Sequence, residues 1–520
     1  MAHLFHKIVC IGIRRYTDDC GNNLNVLPVL YTAKHLSSFL HRHKTEDIVP
    51  EEIVMACPDQ KLPTSASSFQ WLHSVAPFFT LDGEKVTVIT EPSKFYETLL
   101  ERSKAAKRRI TLASLYLGTG TLEKELVSAI AKNLETSSGN LKVKVLLDFS
   151  RGSRGNFNSR HMLLPLLEKH KKYCQVALYH TPALRGPLRR LLPPRYSELV
   201  GLQHMKIYLF DDSLLISGAN LSNDYFTNRQ DRYILVEDCR PLADFYDDLV
   251  ERVSEFSLQL WPGNRIQLHH KWNIHPFKGR YEEFAAAARA NIHNFLDNAL
   301  HQAQQQSHSG DTCIFPLVEM GQLGVRQDSH VTLQLLKCAA SGSTVHLATG
   351  YFNLTAQYME SIIHQSAAEY SVLMAHPTAN GFLGAAGPAG GIPAAYRQLA
   401  AAFLHKVQNA GQEDRVSLLE YFRPGWTYHA KGLWYTLAFQ NLPILTLVGS
   451  SNFGSRSVYK DLETQVVIVT TNKKLQKALK EEQEQLYSRG IPFTEKTVAD
   501  SKQETALWVH TVVKLFRHYF

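Results

Sequence analysis

The chain has 520 residues, 44% hydrophobic and 20% charged, with a formal net charge of +8. That composition excludes a disordered chain, the length calls for two domains of roughly 200 residues, and the basic balance favours an anionic partner such as a phosphorylated substrate, acidic lipid or nucleic acid. Seven cysteines without a CxxC spacing indicate neither a zinc ribbon nor a disulfide framework, and no apolar run approaches the roughly 18–20 residues that span a bilayer.

Residues 1–65 carry little signal. Their start, MAHLFHKIVCIGIRRYT, holds Lys7, Arg14 and Arg15 but no acid, and reads either as a targeting segment or as a plain terminus. From residue 66 an alternating α/β pattern begins. RRITLASLYLGTG (108–120) runs strand, small residue, aromatic, turn, and a helix-like segment follows. LKVKVLLDFSRGSRG (141–155) is a buried strand opening into a glycine-rich loop, and CQVALYHTP is the next strand. The insertion at 180–201 mixes leucines with Arg185, Arg189, Arg190 and Arg195. It reads either as a segment lying on an anionic membrane or as an amphipathic helix on the core, and Pro187, Pro193 and Pro194 prevent one long helix.

Residues 262–312 hold an alanine-rich helix and the polar run HQAQQQSHSGDT, predicted to be an exposed linker. The earlier order then returns as STVHLATGYFNLT (343–355), EYSVLMAHPTANGFLG (369–384) and DRVSLLEYFRP. Preserved order predicts a duplication, with one half at 66–261 and the other at 313–520. The terminal ALWVHTVVKLFRHYF sets Trp508, Val512, Leu515 and Tyr519 on one helical face, predicted to pack on the core, with an interfacial anchor as the alternative.

Each half ends in an H-x-K strand. Alternation puts His204 and Lys206 on one face, and likewise His429 and Lys431. A cation beside an imidazole suits phosphorus chemistry: the cation binds anionic oxygens while the imidazole attacks or moves a proton. Each strand returns through a small-residue corner to an amide, Asn220 or Asn452, able to donate to a phosphoryl oxygen. Asp231 and Glu463 each follow their asparagine by eleven residues, the matched position for a carboxylate that sets an imidazole tautomer. The other H-x-K pairs, His170 with Lys172 and His269 with Lys271, lack this context.

His204, Lys206 and Asp211, followed by Gly218 and Asn220, resemble the signature of the phospholipase D superfamily. SLYLGTG, LLDFSRGSRG, LQHMKIYLFD, TGYFNLT, IPAAY, GWTYHAKGLW and GSSNFGSRS are similar to a narrower group, the eukaryotic phosphatidylglycerophosphate synthases. The resemblance implies an α/β fold of two phospholipase D-like repeats, each a mixed sheet flanked by helices, about a pseudo-twofold axis with one shared site. It further implies phosphatidyl transfer from CDP-diacylglycerol to glycerol 3-phosphate at the mitochondrial inner membrane, with an anionic membrane surface as partner and no nucleic acid, metal or cofactor.

By that resemblance His204 is the nucleophile and His429 the acid and base, with Lys206, Lys431, Asn220 and Asn452 carrying phosphoryl charge. Asp211 joins the catalytic set, although Thr436 stands at the matching position of the second half. Ser114, Tyr116 and Tyr351, in the matching stretches, are candidate substrate-binding residues. Gly118 and Gly120 read either as a phosphate-cradling turn before a helix or as a structural turn. Arg151 and Arg154 read either as ligands for the phosphate of glycerol 3-phosphate or as a solvated loop. Other phospholipase D-like activities, as a lipid hydrolase, cardiolipin synthase or nuclease, use the same core. A nuclease needs a long basic groove with stacking aromatics, whereas here the arginines cluster beside leucines.

Overall fold

The computed structural model describes residues 66–305, 309–385 and 390–504. The targeting reading of the N-terminus and the C-terminal face carrying Trp508 lie outside them. Among the described residues, those from 66 to 184 and from 193 to 504 form one compact unit, and the account below concerns that unit. Residues 185–192, which include the short helix Gly186–Leu191, fall outside that unit.

Strand β1 (Phe79–Leu81) precedes the first repeat. That repeat comprises β2 (Val86–Ile89), α1 (Pro92–Ala105), β3 (Arg109–Ala113), α2 (Thr121–Thr136), β4 (Lys142–Asp148), α3 (Ser159–His170) and β5 (Cys174–Tyr179). It continues with β6 (Ile207–Phe210), β7 (Ser213–Ser217), β8 (Arg229–Gln230), β9 (Tyr233–Val236), α4 (Arg240–Glu255), β10 (Leu258–Trp261) and β11 (Arg265–Leu268). Helix α5 (Tyr281–Gln305) connects to the second repeat: β12 (Thr312–Met320), β13 (Val325–Arg326), α6 (Gln327–Lys337), β14 (Thr344–Thr349), β15 (Glu369–Ala375) and α7 (Ile392–Asn409). Then follow β16 (Val416–Tyr421), β17 (Thr427–Tyr428), β18 (Gly432–Thr436), β19 (Leu445–Gly449), β20 (Leu462–Thr470), α8 (Lys473–Tyr487) and β21 (Gly490–Pro492).

Two mixed sheets result. One has the order β11-β10-β5-β4-β3-β6-β7-β9-β2 and the other β1-β12-β20-β19-β18-β14-β15-β16-β21, with β13 on β12. The run β5-β4-β3-β6-β7-β9 matches β16-β15-β14-β18-β19-β20 strand for strand. In both, three parallel strands meet an antiparallel return that the H-x-K motif immediately precedes. Strands β9, β18, β19 and β20 are almost wholly buried, as central strands covered on both faces are.

A core cluster joins the facing sheets, with Ile207, Ile216 and Ile234 from one and Trp434, Val448 and Val466 from the other. Helix α4 enters it with the stripe Leu242, Phe245, Tyr246, Leu249 and Val253, the i, i+3, i+4, i+7 spacing of a helix buried on one side. Buried Arg232 clasps the repeats. It donates to both Glu482 oxygens at 2.9 and 2.8 Å and lies 3.7 Å from the Trp434 ring centre.

The halves are less cleanly divided than the sequence predicts. Strand β1 pairs with β12, and Phe69, Leu72 and Phe78 pack among second-repeat residues. Strand β11, inside the predicted linker, extends the first sheet. Cys174, Cys239 and Cys313 are free thiols, whereas Cys338 is disulfide-bonded.

Candidate active site

Two short backbone contacts bring the repeats together. Gln203 bridges Leu462, and the His204 N–H donates to the Leu462 carbonyl at 2.8 Å. On the other side β8 pairs with β17, and the His429 N–H donates to the Gln230 carbonyl at 2.8 Å. In each case the accepting residue immediately precedes a carboxylate. The carboxylates therefore serve the opposite repeat: Glu463 lies 2.9 Å from Nδ1 of His204, and Asp231 lies 2.7 Å from Nδ1 of His429.

The H-x-K residues lie just ahead of β6 and β18, outside the strands themselves. Met205 and Ala430, the residues between, turn fully into the core. Lys206 and Lys431 fold back so that Nζ donates to the carbonyl of His204 at 2.6 Å and of His429 at 2.8 Å. Gly218 is required by the close approach of Asp231, since a Cβ there would lie 2.7 Å from Oδ1. Ser457 donates to Glu463 at 2.8 Å and fixes that carboxylate.

Burial governs the charges. It pushes both imidazoles well below their ordinary pKa, with the neighbouring lysines adding to the effect. It lowers Lys431 to about 8 and raises Asp231 to about 6 and Glu463 in the same direction. Neutral imidazoles that give Nδ1–H to a carboxylate have Nε2 available as nucleophile or base. Burial lowers Lys206 in the same direction as Lys431, and each ammonium group lies against its own histidine.

No family model matches the chain. It is 45% identical over 485 residues, 88% of this chain and 87% of the relative, to the human protein named CDP-diacylglycerol–glycerol-3-phosphate 3-phosphatidyltransferase, mitochondrial. The chain belongs to the CDP-diacylglycerol–glycerol-3-phosphate 3-phosphatidyltransferase family. A Dictyostelium discoideum relative, named a probable member, is 37% identical over 87% of this chain and 80% of its own length. The crystal structure of phosphatidylserine synthase from Haemophilus influenzae Rd KW20 matches with a TM-score of 0.64 at 20% identity, covering 88% of this chain and 97% of that one. That likeness concerns the fold alone.

Within this phosphatidyltransferase the two asparagines differ. Asn452 keeps a buried Oδ1 with no hydrogen-bond partner among the described residues. Asn220 is committed: its amide donates to the Tyr225 hydroxyl at 3.1 Å, and Tyr225 lies 3.2 Å from Nε2 of His429. Sequence reasoning missed Tyr225, because the same position of the second repeat is Ser457 and no repeat signal marks it. Tyr351 stands edge-on to the His429 ring at 5.5 Å and stacks on Tyr396. Tyr116 lies under Arg151, 4.1 Å from the guanidinium carbon to the ring centre, and contacts Ser222 at 3.0 Å.

Other candidates make contacts within the protein. Asp211 follows β6 at the end opposite to His204, seven residues on and at most roughly 20 Å away. Its carboxylate accepts the backbone N–H groups of Lys107, Arg108 and Arg109 at the start of β3, a structural role. At the turn of Gly118 and Gly120 the buried Glu123 carboxylate folds onto the glycines, 2.1 Å from where a Gly118 Cβ would stand, and accepts from Asn223 N–H. Arg154 is paired with Glu198 at 2.6 Å. Buried Ser114 lies behind Asn220, its hydroxyl 3.5 Å from the amide oxygen.

Proposed function

We propose that this chain transfers the phosphatidyl group of CDP-diacylglycerol to glycerol 3-phosphate, giving phosphatidylglycerol phosphate and CMP. The observation carrying this reading is the crossed pairing of His204 with Glu463 and His429 with Asp231 in a chain 45% identical to the human enzyme of that name. Nε2 of His204 attacks the phosphorus bearing diacylglycerol. The bond to the CMP oxygen breaks, and CMP departs as its phosphate anion with the bonding electron pair, since Nε2 of the neutral His429 carries no proton to give. The primary hydroxyl of glycerol 3-phosphate then gives its proton to Nε2 of His429 and attacks. The phosphorus–nitrogen bond breaks and its electron pair returns to His204. Lys206, Lys431 and Asn452 balance charge on the phosphoryl oxygens. The greater exposure of the His204 side chain, 12% against 4% for His429, supports His204 as the nucleophile.

The site of action is read as the mitochondrial inner-membrane surface. Curated relatives are named mitochondrial, and no helix among the described residues is long and apolar enough to cross a membrane. Phe157 and Leu383 stand 55% and 58% exposed in the loops after β4 and β15. Those loops leave the sheet ends where His204 and His429 also emerge. Exposed apolar side chains with a net positive charge suit an anionic lipid surface.

The test is purified protein with CDP-diacylglycerol, with and without glycerol 3-phosphate, in the presence of EDTA. CMP release that depends on glycerol 3-phosphate, with an acid-quenched phosphatidyl adduct on His204, is the expected result. Release in water alone, or near-normal turnover by His204→Ala, would overturn the reading.

A further inference from the structure

The repeats match closely in their backbones, yet the two imidazoles meet different neighbours at Nε2. No described residue hydrogen-bonds Nε2 of His204. Nε2 of His429 meets the Tyr225 hydroxyl at 3.2 Å, with the rings edge to face at 5.0 Å. The Asn220 amide donates to the same phenol oxygen at 3.1 Å, and that contact directs the phenol's own proton toward His429. Tyr225 is 3% exposed, and burial holds its hydroxyl in the protonated form. Five residues after Asn452 the second repeat has Ser457, which turns to Glu463 and leaves His204 uncovered.

We propose that Tyr225 is the positioning residue that sets the two histidines apart. Held by Asn220, it donates to Nε2 of His429 in the resting site and keeps that imidazole neutral until the acceptor hydroxyl displaces the phenol and gives its proton to the same lone pair. The proposal rests on the phosphatidyl-transfer reading above. It also fits the unequal demands of the two steps. A phosphate such as CMP leaves readily with little acid, whereas an alcohol does not attack without a base.

Other groups face His429. Lys431 lies 2.7 Å from Nδ1 and 3.2 Å from Nε2, and Asp231 holds Nδ1. Arg229, Lys206 and His204 act on it through charge, and Tyr351 stands edge-on to the ring. An ammonium close to both nitrogens of one ring cannot lie along the in-plane lone pair of Nε2. Tyr225 is therefore the directional donor to that atom.

A donor to the lone pair favours the neutral imidazole, so its loss raises the histidine pKa. In Tyr225→Phe the titration of His429, followed on the whole protein by exchange of the imidazole C2 hydrogen and mass spectrometry, moves up by about 0.5–1 pH unit. The acidic limb of the acceptor-dependent step moves with it. Asn220→Ser, which retains the phenol, shifts both in the same direction by less and serves if the first variant does not fold. An unshifted His429 titration in a folded variant overturns the proposal. The exchange measurement uses no substrate, so its outcome is distinct from failure of the assay for CMP release.

Discussion

Glu463 belongs to the second repeat, yet its carboxylate lies 2.9 Å from Nδ1 of His204 in the first. The reciprocal contact, Asp231 to His429 at 2.7 Å, makes each histidine dependent on the other half. A carboxylate at Nδ1 fixes the tautomer with Nε2 unprotonated, while a carboxamide can present N–H and enforce the wrong one. Glu463→Gln is expected to lower kcat on the order of 10³- to 10⁴-fold with little change in KM, and Asp231→Asn similarly. Steady-state kinetics on folded protein check this. A KM effect alone would assign these carboxylates to binding.

Buried acids beside the site give a distinct pH signature. Burial raises Asp328 to about 7, with Gln465 donating to both its oxygens at 2.9 Å. A carboxyl whose folded pKa exceeds its unfolded value contributes stability that is full below the unfolded pKa and lost as pH rises through the folded one. Asp328→Asn, permanently neutral, is expected to melt above the natural protein at pH 8, by about 2–4 °C for each kcal/mol recovered, and to show no such gain at pH 4. A gain that is equal at both pH values would refute the titration argument.

Local pattern displayed much of this molecule. The repeated strand order, both H-x-K strands and the carboxylates eleven residues after each asparagine lie in short windows where alternation and spacing are visible. What was hidden depends on how the sheets meet. Nothing near His204 in sequence says that its carboxylate is Glu463 rather than Asp231. Tyr225 was hidden because its repeat mate, Ser457, does different work. Glu123 was hidden because a side chain folding back onto Gly118 leaves no periodic trace. Strand β1 is three residues long, too short to reveal that it joins the second sheet.

The Arg232 clasp is the second device that crosses the repeats, and it follows Asp231 directly. Its guanidinium is fully buried against Glu482, and Trp434 donates to the same carboxylate at 3.0 Å. Removing one member leaves the other charge buried and unpaired, so Arg232→Ala is expected to cost about 3–5 kcal/mol. The paired change Arg232→Met with Glu482→Leu, which leaves neither charge, is expected to recover most of that loss. Urea unfolding of the three variants measures it. A double variant no better than Arg232→Ala would show that the ion pair itself, and not the stranded charge, is what matters.

Asp211 separates the signature of the superfamily from the chemistry. Its backbone is left-handed, with φ of 52°, a conformation that Asp and Asn tolerate and alanine resists. Its carboxylate ties the turn after β6 to the start of β3 through three N–H groups. Asp211→Ala is therefore expected to lose about 1–2 kcal/mol of stability from the unmade hydrogen bonds and the strained turn. Turnover per folded molecule stays within about threefold, because the length of β6 separates the change from His204. Asp211→Asn, which accepts the same conformation, is expected to lose less. Thr436 at the matching position shows that the second repeat holds its own strand without this carboxylate, pairing with Thr344 at the start of β14. A collapse of kcat in a fully folded Asp211→Ala would return this residue to the catalytic set and require a path from the turn to the imidazole.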